Sequence, residues 1–126
     1  MNSSKIESYR DLKVWQEAMN IAVYCYEITK EYPSEERYGM TSQIRRAATS
    51  IPANIAEGYG REYTAEYIQF LRIAQGSLKE LETHLLLSIR VNLTTAEKVN
   101  SILKKTEEVG KMLRALIRAL QNKREK

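Results

Sequence analysis

The stretch Thr94-Thr95-Ala96-Glu97-Lys98-Val99-Asn100-Ser101-Ile102-Leu103-Lys104-Lys105-Thr106-Glu107-Glu108-Val109-Gly110-Lys111-Met112-Leu113-Arg114-Ala115-Leu116-Ile117-Arg118-Ala119-Leu120 decides the fold. Val99, Ile102, Thr106, Val109, Leu113, Leu116 and Leu120 keep the a/d heptad spacing of a helix packed along another helix. Leu103, Gly110 and Ile117 add a parallel row. Thr94 followed by Glu97 spells a capping box, so the helix is predicted over about 95–122.

Three earlier segments read the same way. The first spans about 11–32, with Asp11 as N-cap and Pro33 disfavouring helical geometry at Tyr32. On a helical wheel, Leu12, Trp15, Met19, Ala22 and Tyr26 make one stripe. Val14, Ala18, Ile21, Cys25 and Ile28 make a second beside it. Together they cover roughly 200°, twice the arc that one buried face requires. The second segment spans about 39–59, after a short turn near Ser34, and ends at Gly58 and Gly60. Pro52 interrupts it, so either a kinked helix or two short ones are expected. The third spans about 65–91, with Thr64 as cap. Its core stripe is Tyr67, Phe70, Leu71, Ala74, Leu78, Leu81 and Leu85, widened late by Leu86, Leu87 and Ile89.

Short connections between these segments predict an all-α, antiparallel, up-down-up-down four-helix bundle, with the second helix kinked at Pro52. The whole chain, 1–126, is expected to form one domain with a flexible basic tail at 123–126. Composition agrees. Only 5 Gly and 2 Pro occur in 126 residues, too few for the frequent turns of a β-sandwich. If the third and fourth helices turn near Leu93, Gly76 and Gly110 fall at one height, where two bare backbones would permit a close approach. The surplus apolar stripe on the first helix predicts self-association.

Several chemistries are excluded or disfavoured. With one cysteine (Cys25), no intramolecular disulfide and no multi-cysteine zinc site can form. With one histidine (His84), a di-iron site built on two Glu-x-x-His pairs is impossible. Gly58-Tyr59-Gly60 lacks the Lys-Ser/Thr of a phosphate-binding loop and follows a helix. Glu57, Glu80 and Glu82 have no nucleophile or metal beside them. The expectation is therefore no enzyme, no cofactor, no metal and no small-molecule substrate. The N-terminal residues lack the apolar core of a signal peptide, and no apolar run approaches a membrane span. A cytoplasmic protein without membrane contact is expected.

The net charge of +4 is uneven: residues 1–90 carry 11 basic and 12 acidic side chains, whereas residues 91–126 carry 9 and 4. On the last helix Lys104, Lys111, Arg114 and Arg118 lie opposite Val109, with Glu107 interrupting the stripe. Alternating topology brings Arg10, Lys13, Arg61, Arg118, Lys123 and Arg124 to one end, beside Tyr59 and Tyr63, which have the π-faces to stack on bases. Asp11, Glu57, Glu62 and Glu66 oppose them there. Such surfaces suit phosphate backbones through a salt-dependent, sequence-tolerant attraction. A solvated charged face is the plainer reading, and a purely structural protein-interaction scaffold is the alternative function.

Three stretches carry a resemblance. They are Tyr9-Arg10-Asp11-Leu12-Lys13-Val14-Trp15, the run Gln43-Ile44-Arg45-Arg46-Ala47-Ala48-Thr49-Ser50-Ile51-Pro52-Ala53-Asn54-Ile55-Ala56-Glu57-Gly58, and the run from Phe70 to Thr83 that contains Arg72, Gly76, Ser77 and Glu80. The chain resembles the bacterial four-helix-bundle family named after proteins encoded in intervening sequences of 23S rRNA genes. The resemblance implies a ring-like homopentamer and kinship with the accessory variability protein of diversity-generating retroelements. That relative is a basic pentamer that binds nucleic acid, RNA or DNA, and works with a reverse transcriptase.

Within these motifs Arg45, Arg46, Pro52, Asn54, Glu57, Gly58, Arg72, Gly76, Ser77 and Glu80 are expected to form a structural network. A turn near Glu62 would set Pro52 level with Arg72 and Ala48 level with Gly76. The Ala48 carbonyl freed by Pro52 would then accept from Ser77 or Arg72, and a buried polar network would fix the register.

Overall fold

The computed structural model describes residues 5–124. Its four helices are α1 (Lys13–Thr29), α2 (Met40–Tyr59), α3 (Thr64–Arg90) and α4 (Ala96–Arg124). Each helix packs on two neighbours in the cycle α1, α2, α3, α4 and back to α1, so the cross-section is a square. The contacts run antiparallel at every corner. Arg45 of α2 reaches Thr29 of α1, Ser50 of α2 meets Ser77 of α3, Thr106 of α4 meets Glu82 of α3, and Lys98 of α4 meets Glu31 beyond the end of α1. The all-α antiparallel bundle expected from the periodicity is the observed fold.

The core is built from the helical stripes. Ile21, Ile44, Ile51, Ile55, Leu71, Leu81, Leu85, Val99 and Leu113 are fully buried. The α2–α3 corner is the most extensive of the four and the α1–α4 corner the least. At α2–α3 the backbones close in at Gly58, where an added β-carbon would stand 2.8 Å from the Phe70 Cβ and 3.0 Å from Tyr67 Cδ1. At α1–α4 the polar contacts are peripheral: the exposed Lys98–Glu31 pair and the Lys105 ammonium 5.3 Å from the centre of the Tyr24 ring.

Helix ends depart from the sequence expectations in instructive ways. Asp11 does not cap α1. It closes a capping box on a 3-10 turn over Tyr9–Asp11, where its Oδ2 accepts from the Glu7 and Ser8 amides at 2.9 and 3.2 Å. A helix follows at Lys13 with Leu12 as its uncapped first boundary. Helix α1 stops at Thr29, and Tyr32 is buried outside it. Thr64 is the first residue of α3 and does not cap it. The expected Thr94–Glu97 box is replaced by Thr95, whose hydroxyl accepts from the Lys98 amide at 3.4 Å. Of the expected tail at 123–126, Lys123 and Arg124 form the last described residues of α4, and 125–126 lie outside the described residues.

Helix α2 runs as one element through Pro52. Gly58 does not terminate it: this residue is buried inside the helix, and Gly60 leaves it with an ordinary φ of −79°. Among the described residues the left-handed one is Asn92, φ 64°, in the α3–α4 turn, a conformation that asparagine tolerates. The paired-glycine contact is overturned. Gly110 faces Leu78 of α3, and Gly76 is exposed with nothing within 4 Å of a built β-carbon. Gly76 shares the outward face of α3 with Arg72, Ile73, Lys79 and Glu80, so it points away from α4 whatever the height of the turn. Leu86 and Leu87 are exposed rather than a widened core stripe.

Candidate functional site

The two apolar stripes of α1 have different fates. Val14, Ala18, Ile21, Cys25 and Ile28 are buried in the bundle core. Trp15, Met19, Ala22 and Tyr26 of the other stripe line an open groove of about 600 Å³ between α1 and α2, whose opposite wall includes Pro52, Ala53 and Ala56. Met19, Val23 and Tyr26 remain 40%, 51% and 42% exposed. Small side chains on α2 leave the space, and large ones on α1 line it. Tyr9 packs edge-on against Trp15, ring centroids 5.2 Å apart, and closes one end. Of the stripe that the sequence showed in excess, Ala22 is buried and Leu12 and Trp15 are half-buried, while Met19 and Tyr26 are left uncovered by the bundle.

The expected motif network is smaller than the sequence suggested. Its centre is Ser50, whose hydroxyl shares a 2.8 Å hydrogen bond with Ser77. Asn54 Nδ2 donates to the Ser50 carbonyl at 2.8 Å and to the Ser50 hydroxyl at 3.0 Å. Ser77 therefore engages a hydroxyl and not the Ala48 carbonyl. The pairing of Ser50 with Ser77 places the register about one turn further along α3 than a pivot at Glu62 would set it. Arg72 is exposed and makes no side-chain hydrogen bond among the described residues. Arg46 also faces solvent. Glu57 pairs with Arg61 at 3.0 Å, and Glu80 lies 3.8 Å from His84.

Arg45 holds a second junction. Its Nε donates to Thr29 Oγ1 at 2.9 Å, and its guanidinium lies 4.4 Å from the centroid of the Tyr26 ring. Thr29 in turn donates to the Cys25 carbonyl at 2.7 Å. The guanidinium thereby secures the last turn of α1, where cations complement the helix dipole. A third junction joins α3 to α4: buried Thr106 donates to Glu82 Oε2 at 2.6 Å, and Lys79 holds the other carboxylate oxygen at 3.1 Å. A threonine at a heptad core position was the available signal. Burial pushes the Cys25 thiol up to about 12 and the Tyr67 phenol, by burial first, also to about 12.

The topology gathers Arg10, Lys13, Arg61, Arg118, Lys123 and Arg124 toward one end of the bundle. Arg61 is engaged there by Glu57, and its guanidinium lies 4.6 Å from the Phe70 ring centre. Arg10 stacks loosely on Tyr9 at 5.7 Å. Among the described residues Lys13, Lys104, Lys111, Arg114, Arg118, Lys123 and Arg124 are exposed with no ion-pair partner. Lys104 borders a polar cleft with Glu107, and Arg114 folds back beside Gly110. Tyr63 is 63% exposed at the basic end, whereas Tyr59 packs edge-on against Tyr67 at 6.0 Å. Of the two tyrosines, Tyr63 is the one free to stack.

No helix among the described residues is long and apolar enough to cross a membrane. A model of the family described as 23S rRNA-intervening sequence protein matches residues 10–115. Among solved structures, a protein of unknown function from the S23 ribosomal protein family of Bacteroides thetaiotaomicron VPI-5482 is similar. It shares 32% identity, with 82% of this chain and 97% of that chain covered and a TM-score of 0.74. No curated protein matches the chain.

Proposed function

The chain belongs to the 23S rRNA-intervening sequence protein family, and on that premise we propose a non-enzymatic, self-assembling bundle that binds nucleic acid or an enzyme acting on it. The observation that carries the nucleic-acid half is that the basic side chains Lys104, Lys111, Arg114 and Arg118 on α4 have no ion-pair partner among the described residues. Cations not neutralised by neighbours are free to replace the counterions of a phosphate backbone. Their density increases toward the end where Arg10, Lys13, Lys123 and Arg124 also lie. RNA and DNA share the backbone chemistry these residues read, and a reverse transcriptase-like partner would bring such a strand with it.

The apolar α1–α2 groove supports self-association. Exposed apolar surface of this kind usually marks an interface, and a homopentamer is the form that the resemblance implies. A ring would repeat the basic end around its axis and raise avidity without new contacts. A non-catalytic role is consistent with the one thiol, which burial keeps protonated at neutral pH. The proposed location is the cytoplasm, where nucleic acid is available.

Purification at low salt, followed by light scattering with an absorbance spectrum, tests both halves. The expected result is a mass several times the 14.6 kDa chain, with nucleic acid that dissociates as salt rises. The triple variant Lys111→Glu, Arg114→Glu and Arg118→Glu should keep the mass and lose the nucleic acid. A monomer free of nucleic acid overturns the proposal. An oligomer that never binds nucleic acid at low salt favours the scaffold reading, for which the groove is the specific support.

A further inference from the structure

At the opposite end of the bundle a cleft of about 260 Å³ opens where α1 ends and α2 begins. Lys30, Arg37 and Arg45 contribute to its wall together with the hydroxyl residues Thr29, Ser34 and Thr41. Among the described residues no carboxylate lines it. Of the nearby acids, Glu31 pairs with Lys98 and Glu36 Oε1 accepts from the Met40 amide at 2.9 Å, while Glu35 is exposed and does not line the cleft. We infer that this cleft binds a phosphate group, carried either by a small phosphate compound or by a nucleic-acid backbone.

The arrangement has both fixed and free donors. Arg45 is oriented by Thr29 Oγ1 and by the Tyr26 ring, and only its Nε and one terminal nitrogen are in use, the latter at 3.4 Å from the Tyr26 carbonyl. A guanidinium has five N–H donors in a rigid fork, so the remaining ones are available to an oxyanion without any further ordering. Arg37 and Lys30 are exposed and have no ion-pair partner among the described residues. Thr41 is 9% exposed, and its hydroxyl makes no hydrogen bond among the described residues. Charge-assisted bonds from a guanidinium to a phosphate are the strong class of hydrogen bond. A sheltered hydroxyl beside three cations, with no anion on the wall, matches the donor set that a tetrahedral oxyanion accepts from. Its capture is separate from the basic end proposed above, because Arg37 and Thr41 lie at the other end of the bundle.

Titration of the full chain with inorganic phosphate, read by calorimetry at low ionic strength and by arginine side-chain NMR, tests the inference. Saturable binding is expected at one phosphate per chain, with the Arg45 Nε–H signal shifting. Arg37→Gln and Thr41→Val should each weaken it, the first by about tenfold or more, as loss of a charge-assisted contact requires. Each variant is first shown to keep its helical circular dichroism. The Lys111→Glu, Arg114→Glu, Arg118→Glu variant should bind phosphate as the parent does, whether or not it has lost nucleic acid. Competition of phosphate by a nucleoside monophosphate assigns the site to small phosphates. Competition by an unphosphorylated oligonucleotide, which offers only diesters, assigns it to a backbone. Absence of saturable binding to phosphate, or binding unchanged in Arg37→Gln, overturns the inference.

Discussion

Gly58 of α2 and Phe70 of α3 approach so closely that a β-carbon on the glycine would stand 2.8 Å from the Phe70 Cβ. The Tyr67 carbonyl oxygen would lie 3.2 Å from the same point. Because both neighbours are set by the α3 backbone, the clash cannot be relieved by a rotamer change alone. Gly58→Ala should lower stability by about 1–3 kcal/mol, the usual cost of overpacking a fixed interface. Urea denaturation with a two-state fit measures it. An unchanged midpoint would show that α2 and α3 separate freely at this level.

The other two helical glycines should behave differently. A β-carbon at Gly76 meets nothing within 4 Å, so Gly76→Ala should stabilise the isolated chain by about 0.5–1 kcal/mol through helix propensity alone. At Gly110 the new methyl would touch Leu78 Cδ2 at 3.4 Å, and the gain should be smaller. Thermal denaturation of the two variants side by side gives the order, and a greater gain at Gly110 contradicts it.

Thr106→Val removes the hydroxyl that donates to Glu82 at 2.6 Å while keeping the shape of the side chain. The half-sheltered carboxylate then loses a bond it cannot replace with a buried neighbour. A loss of about 1–2 kcal/mol is expected. Thr106→Ser should retain most of the stability, because it keeps the donor. If the serine variant is as unstable as the valine one, packing and not the hydrogen bond is responsible.

Alkaline pH should weaken the fold through Cys25. Its folded-state thiol is raised from 9.0 to about 12 by burial. Below pH 9 both the folded and unfolded thiols are protonated, and its contribution is fully present. As pH rises from 9 toward 12, the unfolded chain releases the proton first and gains stability relative to the fold, by up to about 1.4 kcal/mol per pH unit for one group. Denaturant midpoints measured between pH 8 and pH 10.5 should fall for the parent and fall less for Cys25→Ala. Parallel slopes would assign the decline to other groups, such as Tyr67, which burial also raises.

The bundle was legible because apolar spacing depends on helix geometry, which no neighbour alters. Val99 to Leu113 on α4 and Ile44 to Ile55 on α2 are buried where their periodicity put them. The ends were less legible. Asp11, Thr64 and Thr94 are residue types that suit a cap, but the choice among adjacent candidates depends on where the preceding turn delivers the chain. Register was lost for the same reason. In α2–α3 a shift of about three residues sets Ser77, not Ala74, opposite Ser50, whereas Arg72 and Gly76 miss the interfaces because both lie on the outward face of α3 with Ile73, Lys79 and Glu80. The excess stripe on α1 was visible in the sequence, whereas its opening toward α2 required the small residues Ala53 and Ala56 to be placed opposite it. The cleft at Arg37 had no linear signature, since its cations come from a helix end, a turn and the next helix.

The unequal corners of the square have a consequence for how the bundle comes apart. Helices α2 and α3 are adjacent in sequence, locked at Gly58 and joined through Ser50 and Ser77. Helices α1 and α4 are the most distant in sequence, and polar contacts at that corner lie at the solvent edge. Under native conditions, beneath the global two-state transition, local openings should start at the weaker corner. The outer pair would release first, leaving the α2–α3 hairpin as the most slowly exchanging amides. The same hairpin, with its short loop closure, is the natural place for the chain to begin folding.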